Sequence, residues 1–155
     1  MRVFCDRRYP DVIGEIAVAM GRVIPSKVGH VVWSGHVEIH SSSKHWPCLF
    51  PQHGPGRKHL RPIRLEPWQQ EIVDRYPKQL LRGLIHSDGW RGNNKIGERL
   101  YPRYQFTNAS EDIRKIFCDA CDRLGISWRQ MNARNISIAR RADVARMDEF
   151  VGPKS

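Results

Sequence analysis

The segment 81–89, Leu-Arg-Gly-Leu-Ile-His-Ser-Asp-Gly, constrains the fold of this chain more than any other part of the sequence. Its apolar residues recur at helical spacing and predict an amphipathic helix with one buried stripe: Leu81, Leu84 and Ile85. Gly83 and Ser87 lie four residues apart on one face, and both are small enough to let a second helix or strand approach closely. The segment therefore predicts a helix interface at Gly83 and Ser87.

The predicted helix ends in an acid, Asp88, directly before Gly89. The last turn of a helix carries partial negative charge from its unpaired carbonyl groups, so a carboxylate there is unfavourable unless a cation lies beside it. Asp88 is therefore a candidate metal ligand. The alternative is an ordinary amphipathic helix that Gly89 terminates.

The overall charge favours a polyanionic partner. The 155 residues include 26 Lys and Arg against 16 Asp and Glu, which gives a formal net charge of +10. These basic residues are spread along the chain, as expected for a folded surface that binds nucleic acid. The sequence has no apolar run long enough to span a bilayer and no signal-peptide pattern, so we expect an intracellular, cytoplasmic protein without membrane contact.

Six of the nine positions in 81–89 match the LAGLIDADG motif. The segment therefore resembles the LAGLIDADG family of homing endonucleases, with its related maturases and DNA-binding regulators. The departures are Arg82, His86 and Ser87. In that family two motif helices pack against each other, and the acid at the eighth position, here Asp88, binds the divalent metal that cleaves DNA.

The resemblance implies Mg²⁺ as cofactor, held by Asp88 and by the main-chain carbonyl of Ser87. Mg²⁺ prefers oxygen ligands and suits phosphodiester hydrolysis. A two-helix site needs a second acid, and no second motif is present in this sequence. A homodimer formed through the 81–89 helix is one way to supply it.

The elements expected after the motif follow the αββαββα order of the family. Residues 90–94 are predicted to form a polar turn, Tyr101 to Asn108 a strand, and Ser110 to Leu124 a helix ended by Gly125. Two further strands are expected at 127–132 and 135–141, and a helix at 143–150. The predicted fold class is α+β, with LAGLIDADG-like αββαββα repeats and antiparallel DNA-binding sheets.

The first half of the sequence reads as a second, shorter copy of this unit. A helix is expected at Pro10 to Met20, strands at 28–33 and 36–40, and a linking helix at 67–76. We therefore expect a single LAGLIDADG-type domain made of two pseudo-repeats, 1–76 and 77–155. The first would lack its motif helix and first strand, either because the native chain starts upstream or because the member is truncated.

The resemblance also implies polar and basic neighbours for the metal. The family typically has a Gln or Asn at the end of the second strand and a Lys after the last helix of each repeat. Aligning Phe4-Cys5-Asp6 with Phe106-Thr107-Asn108 assigns these roles to four residues, with Arg57 as a substitute for the first lysine: Asn108 and Lys154 in the second repeat, Asp6 and Lys58 in the first.

Alternation along the predicted strands separates buried from outward residues. Tyr104 and Phe106, Ile136 and Ile138, and Val37 and Ile39 are expected to be buried. Arg and Gln can pair with two base atoms in the major groove, which makes outward residues candidates for contact with double-stranded DNA. The candidates are Arg103, Gln105, Thr107, Arg129, Arg134, Asn135, Ser137, Arg91, Asn93, His36, Glu38 and His40.

The cysteines and tryptophans are predicted to have structural roles. Cys118 and Cys121 form a C-x-x-C pair that could indicate zinc, but both fall on one face of a predicted helix and no second close pair exists. Reduced, buried thiols are the favoured interpretation. The five tryptophans are expected to be core or half-buried packing residues.

Three functions stay open from the sequence. The leading hypothesis is a sequence-specific DNA-binding protein of the homing-endonuclease type that hydrolyses phosphodiesters with a metal. The alternatives are a non-cleaving regulator that kept the fold, and an RNA-splicing maturase.

Overall fold

The computed structural model describes residues 1–154, and for Lys58 the main chain only. The chain divides into two compact units, one made of Met1–His53 with the residues from Pro153 onward, the other of Gly54–Gly152. No helix in the described part of the chain combines the length and the apolar character needed to cross a membrane.

The first unit contains a three-stranded antiparallel sheet and two helices. Its elements are β1 (Arg2–Asp6), α1 (Pro10–Val23), β2 (Val28–Val32), β3 (His36–Ser41) and the short α2 (Trp46–Leu49). The strand order is β1-β3-β2. One face of this sheet packs its buried residues against α1 and α2, and the core consists of Met20, Ile24, Val37, Ile39 and Trp46.

The second unit is an α+β unit with a four-stranded antiparallel sheet. A 3₁₀ turn at Lys58–Leu60 precedes α3 (Pro67–Arg75), α4 (Pro77–Asp88), β4 (Gly89–Ile96), β5 (Arg99–Thr107), α5 (Glu111–Arg123), β6 (Arg129–Gln130), β7 (Asn135–Ile138) and α6 (Arg141–Val151). The strand order is β4-β5-β7-β6. From α4 onward this is the αββαββα order expected from the sequence.

Local sequence signals explain where the second unit's helices begin and end. The Ser110 hydroxyl accepts a hydrogen bond from the main-chain N–H of Ile113 at the start of α5. Gly125 adopts a φ of 63° just after that helix, a conformation that glycine reaches without strain. Both predicted roles are confirmed.

The core of the second unit lies between its helices and one face of the sheet. Tyr104 and Phe106 of β5 are almost fully buried, and the Phe106 ring stacks on Phe117 of α5 with centroids 4.4 Å apart. Leu81 and Ile85 of α4 are buried in the same cluster. The predicted alternation is therefore confirmed in this unit.

Three sequence expectations are wrong, two about strands and one about the burial of the tryptophans. Residues 90–94 belong to β4, whose eight residues all pair with β5, so a polar edge strand was mistaken for a turn. The strand expected at 127–132 shortens to Arg129–Gln130. Of the five tryptophans only Trp46 is buried, and the others are exposed: Trp33, Trp68, Trp90 and Trp128.

Both units contain the order strand, helix, strand, strand, but their strands match one residue away from the predicted alignment, and the origin of the two units as repeats stays a prediction. Cys5 pairs with Val37 as Phe106 pairs with Ile136, and the main-chain N–H of Arg7 bonds Gly35 as that of Asn108 bonds Arg134. In this register Cys5 corresponds to Phe106, and Asp6 to Thr107. Phe4, which is 58% exposed, therefore cannot be the counterpart of the fully buried Phe106.

The cysteines are free thiols, as expected. Cys118 and Cys121 are buried on α5. Burial raises the pKa of Cys118 to about 11 and also raises that of Cys121, so both are protonated at neutral pH. They contribute to packing.

Candidate nucleic-acid interface

The junction between α4 and β4 places the motif acid at one end of the sheet. The helix ends at Asp88 and the strand begins at the next residue, Gly89, whose N–H bonds the carbonyl of Ile85. A Cβ on Gly89 would lie 2.6 Å from the Cα of Ile85, so glycine is required by the close approach of the backbone. Gly89 pairs with Phe106, which brings Asp88 beside the end of β5.

Asn108 is the polar partner of Asp88. Its side-chain amide nitrogen donates to Oδ2 of Asp88 at 3.0 Å. Its Oδ1 accepts from the N–H of Ser110 at 2.8 Å, and its own N–H donates to the carbonyl of Arg134 at 3.0 Å. Because these bonds fix the amide, Asn108 presents an N–H to the carboxylate. The two residues that the sequence placed at one site are thus brought together.

The polar groups around Asp88 do not by themselves provide the ligands that a pair of catalytic metal ions needs. Asn108 turns its oxygen away from the carboxylate. The hydroxyl of Ser87 donates to the Leu84 carbonyl, and metal binding by the main-chain carbonyl of Ser87 stays a prediction. Within residues 1–154 no group of three or more His, Cys, Asp or Glu side chains could hold a metal. Asp88 contributes a single carboxylate to this end of the sheet.

Gly83 and Ser87 lie on an exposed face of α4. A Cβ built on Gly83 would meet no atom within 4 Å. The predicted interface residues are therefore accessible on the surface of the chain, and their contact with a second motif helix stays a prediction.

Of the other predicted catalytic residues, Asp6 and Lys154 belong to the first unit. The Asp6 carboxylate is held by Arg8 at 2.8 Å, and this guanidinium lowers the pKa of Asp6. The ammonium group of Lys154 lies over the Tyr9 ring, 4.8 Å from its centroid. The side chain of Lys58 is outside the described residues, and its proposed substitute Arg57 is exposed. Their catalytic roles stay predictions.

The sheet of the second unit has one face turned away from the helices, which we call the outer face. Residues directly opposite in antiparallel strands share a face, so Trp90, Gln105, Ser137 and Arg129 form one row across all four strands. Arg103 and Thr107 of β5 and Asn135 of β7 share this face, as predicted. No strand residue on it is Asp or Glu, and Arg134 is exposed in the loop beside it.

Arg91 and Asn93 lie on the opposite face of the sheet, away from the other predicted DNA-contact residues of the second unit, and their contact with DNA stays a prediction. Arg91 pairs with Tyr104 across the ladder, and Asn93 with Pro102. The Arg91 guanidinium makes two 2.9 Å hydrogen bonds to Asp148 of α6, which also accepts from the Tyr104 hydroxyl at 2.6 Å. The guanidinium lowers the pKa of Asp148, while burial and this carboxylate raise the pKa of Tyr104.

The outer face of the first sheet holds His36, Glu38 and His40, as predicted, but in a different chemical setting. Glu38 is 8% exposed and forms an ion pair with Arg2 at 3.4 Å. His36 contacts the rings of Phe4 and Trp33. The buried acid and the aromatic contacts make these residues poor candidates for reading DNA, since a carboxylate repels phosphate.

An open groove of about 420 Å³ lies on the outer face of the second sheet. We call it the Trp128 groove, after the tryptophan that lines it together with Arg103, Arg129, Met131, Ser137 and Arg140. The indole N–H of Trp128 donates to Asp122 at 2.8 Å, which fixes the ring. Sequence reasoning missed Trp128 and Arg140, although a tryptophan beside Arg129 in a strand segment was the available signal.

The class of fold follows from this architecture: the chain has a LAGLIDADG-like fold. It is similar to a solved structure described as the N-terminal LAGLIDADG domain of DUF199/WhiA, with a TM-score of 0.52 and 14% sequence identity over 89% of this chain. The chain spans 64% of the length of that structure. No protein-family profile matches the sequence, and no curated protein sequence does either.

Proposed function

We propose that this chain binds double-stranded DNA through the outer face of the four-stranded sheet and does not cleave it. The observation that carries the proposal is the composition of that face, which has Arg103, Gln105 and Arg129 and no strand carboxylate. Strands lie about 4.8 Å apart and the major groove is about 12 Å wide, so two or three neighbouring strands fit across it. The similar structure supports this reading through its fold alone.

The groups that surround Asp88 favour DNA binding without cleavage. Hydrolysis assisted by two metals needs ligands for both ions, whereas the described residues offer one carboxylate with an amide N–H directed at it. Binding needs no metal, because arginines can contact phosphates and base edges directly. In this account Asp88 with Asn108 fixes the junction between the helix and the sheet.

A second candidate is a Mg²⁺-dependent endonuclease that becomes active when two copies pair. The exposure of Asp88 and of the open face at Gly83 and Ser87 favours it, because a second motif helix could bring a second acid. When bound, a divalent metal would help generate hydroxide and stabilise the leaving oxygen. Light scattering across protein concentration tests the pairing: a strict monomer, free or on DNA, removes this candidate.

The deciding experiment is selection from a randomised duplex library in Mg²⁺ and in Ca²⁺, with the natural chain and with Asp88→Asn. We expect the same duplexes to be enriched by both proteins in both ions, without nicks. Nicking that requires Mg²⁺ and disappears in Asp88→Asn would establish the endonuclease instead. Absence of any enriched duplex would overturn DNA binding altogether.

A further inference from the structure

The base of the Trp128 groove contains buried polar atoms that have no hydrogen-bond partner among the described residues. Ser137 is 4% exposed, and among the described residues its hydroxyl has no hydrogen-bond partner. The Nε atom of Arg103 is also buried and also lacks a hydrogen-bond partner among the described residues. Leaving a buried polar group unpaired costs free energy comparable to a lost hydrogen bond, so such groups in a groove indicate a ligand with complementary atoms.

The walls of the groove combine a fixed aromatic ring with cations. Trp128 and Met131 supply apolar surface, and Arg103, Arg129 and Arg140 supply positive charge. The Arg140 guanidinium donates a hydrogen bond to the Ser127 hydroxyl at 2.9 Å, and both residues line the groove. Among the described residues no Asp or Glu lines the groove itself, although Asp143 forms an ion pair with Arg140 at 3.8 Å from outside it. The ligand should therefore have a flat apolar part, polar edges and at least one negative charge.

A nucleotide has these three properties. Ligand sites usually measure about 300–1,000 Å³, so a groove of about 420 Å³ is large enough for one nucleotide and too small for a base pair with both backbones. A base in an intact duplex shows only its edge to the grooves, because its faces are stacked. Contact between a base face and an indole ring requires a base that has left the stack.

We propose that the Trp128 groove binds one unpaired nucleotide of a DNA strand, with its base against Trp128 and Met131 and its phosphate among the arginines. The Ser137 hydroxyl, which is buried at the base of the groove, reaches the edge of that base after a rotation of its side chain. This inference rests on the proposed DNA binding and adds a preference to it: DNA with a bulged or unpaired nucleotide binds more tightly than the fully paired duplex.

The first test measures Kd by fluorescence anisotropy for three DNA duplexes of one sequence: fully paired, with a single bulged deoxyadenosine, and with an abasic bulge. We expect the bulged deoxyadenosine to bind about tenfold more tightly than the other two, in line with base stacking on aromatic side chains. Equal binding of all three would overturn the proposal. So would equal gains from the deoxyadenosine and abasic bulges, since these would reflect DNA flexibility alone.

Variants separate the groove from the rest of the outer face. Trp128→Ala should abolish the preference for the bulge, and Ser137→Ala should reduce it. Ser137→Ala removes a hydroxyl that bonds to none of the described residues, so the variant should fold normally. Trp90→Ala is the control, because Trp90 lies exposed on the same face outside the groove. Loss of the preference in Trp90→Ala with retention in Trp128→Ala would contradict the assignment.

The second test does not depend on duplex binding. Titration of the ¹⁵N-labelled chain with 5′-deoxyguanosine monophosphate should shift the indole N–H resonance of Trp128 and leave that of Trp90 in place. Inorganic phosphate is the control, and the same shift with phosphate alone would reduce the groove to an anion site. If no duplex binds, the proposed function has failed, and this titration alone decides whether the groove takes a nucleotide.

Discussion

The outer faces of the two sheets share a backbone arrangement and differ in chemistry. Phe4, Val31 and Glu38 of the first sheet occupy the positions that Gln105, Arg129 and Ser137 occupy in the second. Two residues before Phe4 and Gln105, on the same outer faces, each strand has an arginine. Arg2 is paired with the buried Glu38, whereas Arg103 lies on a face without strand carboxylates. The same strand order therefore supports two different surface chemistries, and we propose the second sheet as the one that binds DNA.

The largest expected difference concerns the two phenylalanines whose sequence contexts look alike. Phe106→Ala should destabilise the second unit by about 3–5 kcal/mol, because it empties the space stacked against Phe117. Phe4→Ala, on an exposed face, should change stability by less than about 1 kcal/mol. Urea denaturation followed by circular dichroism measures both. Equal losses would refute the one-residue shift between the repeats.

The two equivalent arginines provide the sharpest functional contrast. Arg103→Ala should weaken binding to a selected duplex by about 1–3 kcal/mol, the usual cost of losing one good arginine contact to a base. Arg2→Ala should have almost no effect on affinity. Anisotropy at a fixed salt concentration compares them. A larger loss for Arg2→Ala would transfer the interface to the first sheet.

The Arg91–Asp148 pair predicts a pH dependence on the helix side of the second sheet. Arg91 lowers the pKa of Asp148 in the folded state, so the stability it contributes is present above the unfolded pKa, near 3.9, and is lost as pH falls through the folded value. Arg91→Ala should cost about 1 kcal/mol at pH 7, since both groups are partly exposed. Below about pH 3 the difference from the natural chain should shrink, and a constant difference would contradict this origin.

The smallest effect is expected at the open face of α4. Gly83→Ala places a methyl group where no atom lies within 4 Å, and alanine favours the helix, so stability should rise by about 0.5–1 kcal/mol. Gly89→Ala is the contrasting variant and should destabilise, since its Cβ would meet the backbone of Ile85. Thermal unfolding compares the two. A loss of stability in Gly83→Ala would show that this face is already packed against another copy.

The sequence predicted the parts of the fold that local patterns control. The period of Leu81, Leu84 and Ile85, the cap at Ser110 and the alternation of Tyr104 with Phe106 each depend on a few neighbouring residues. The contact between Asp88 and Asn108 came from the resemblance, and the direct step from α4 into β4 produces it.

The errors come from interactions that are distant in the sequence. The strand β4 has a polar sequence and exists because β5 pairs with it along its full length. The direction of Arg91 depends on the same pairing and on Asp148, 57 residues later. The predicted alignment of the first repeat relies on Phe4 as a core residue, because the sequence pattern places this aromatic residue in the core. In the structure Phe4 is exposed. No local pattern contains this information.

Photocrosslinking can identify which face of which sheet contacts DNA. A benzoylphenylalanine placed at Gln105, at Phe4 or at Asn93 reports which face touches a selected duplex, because these positions lie on the second outer face, the first outer face and the helix side of the second sheet. We expect a DNA adduct from position 105 and none from position 93 or position 4. An adduct from position 4 without one from position 105 would contradict it.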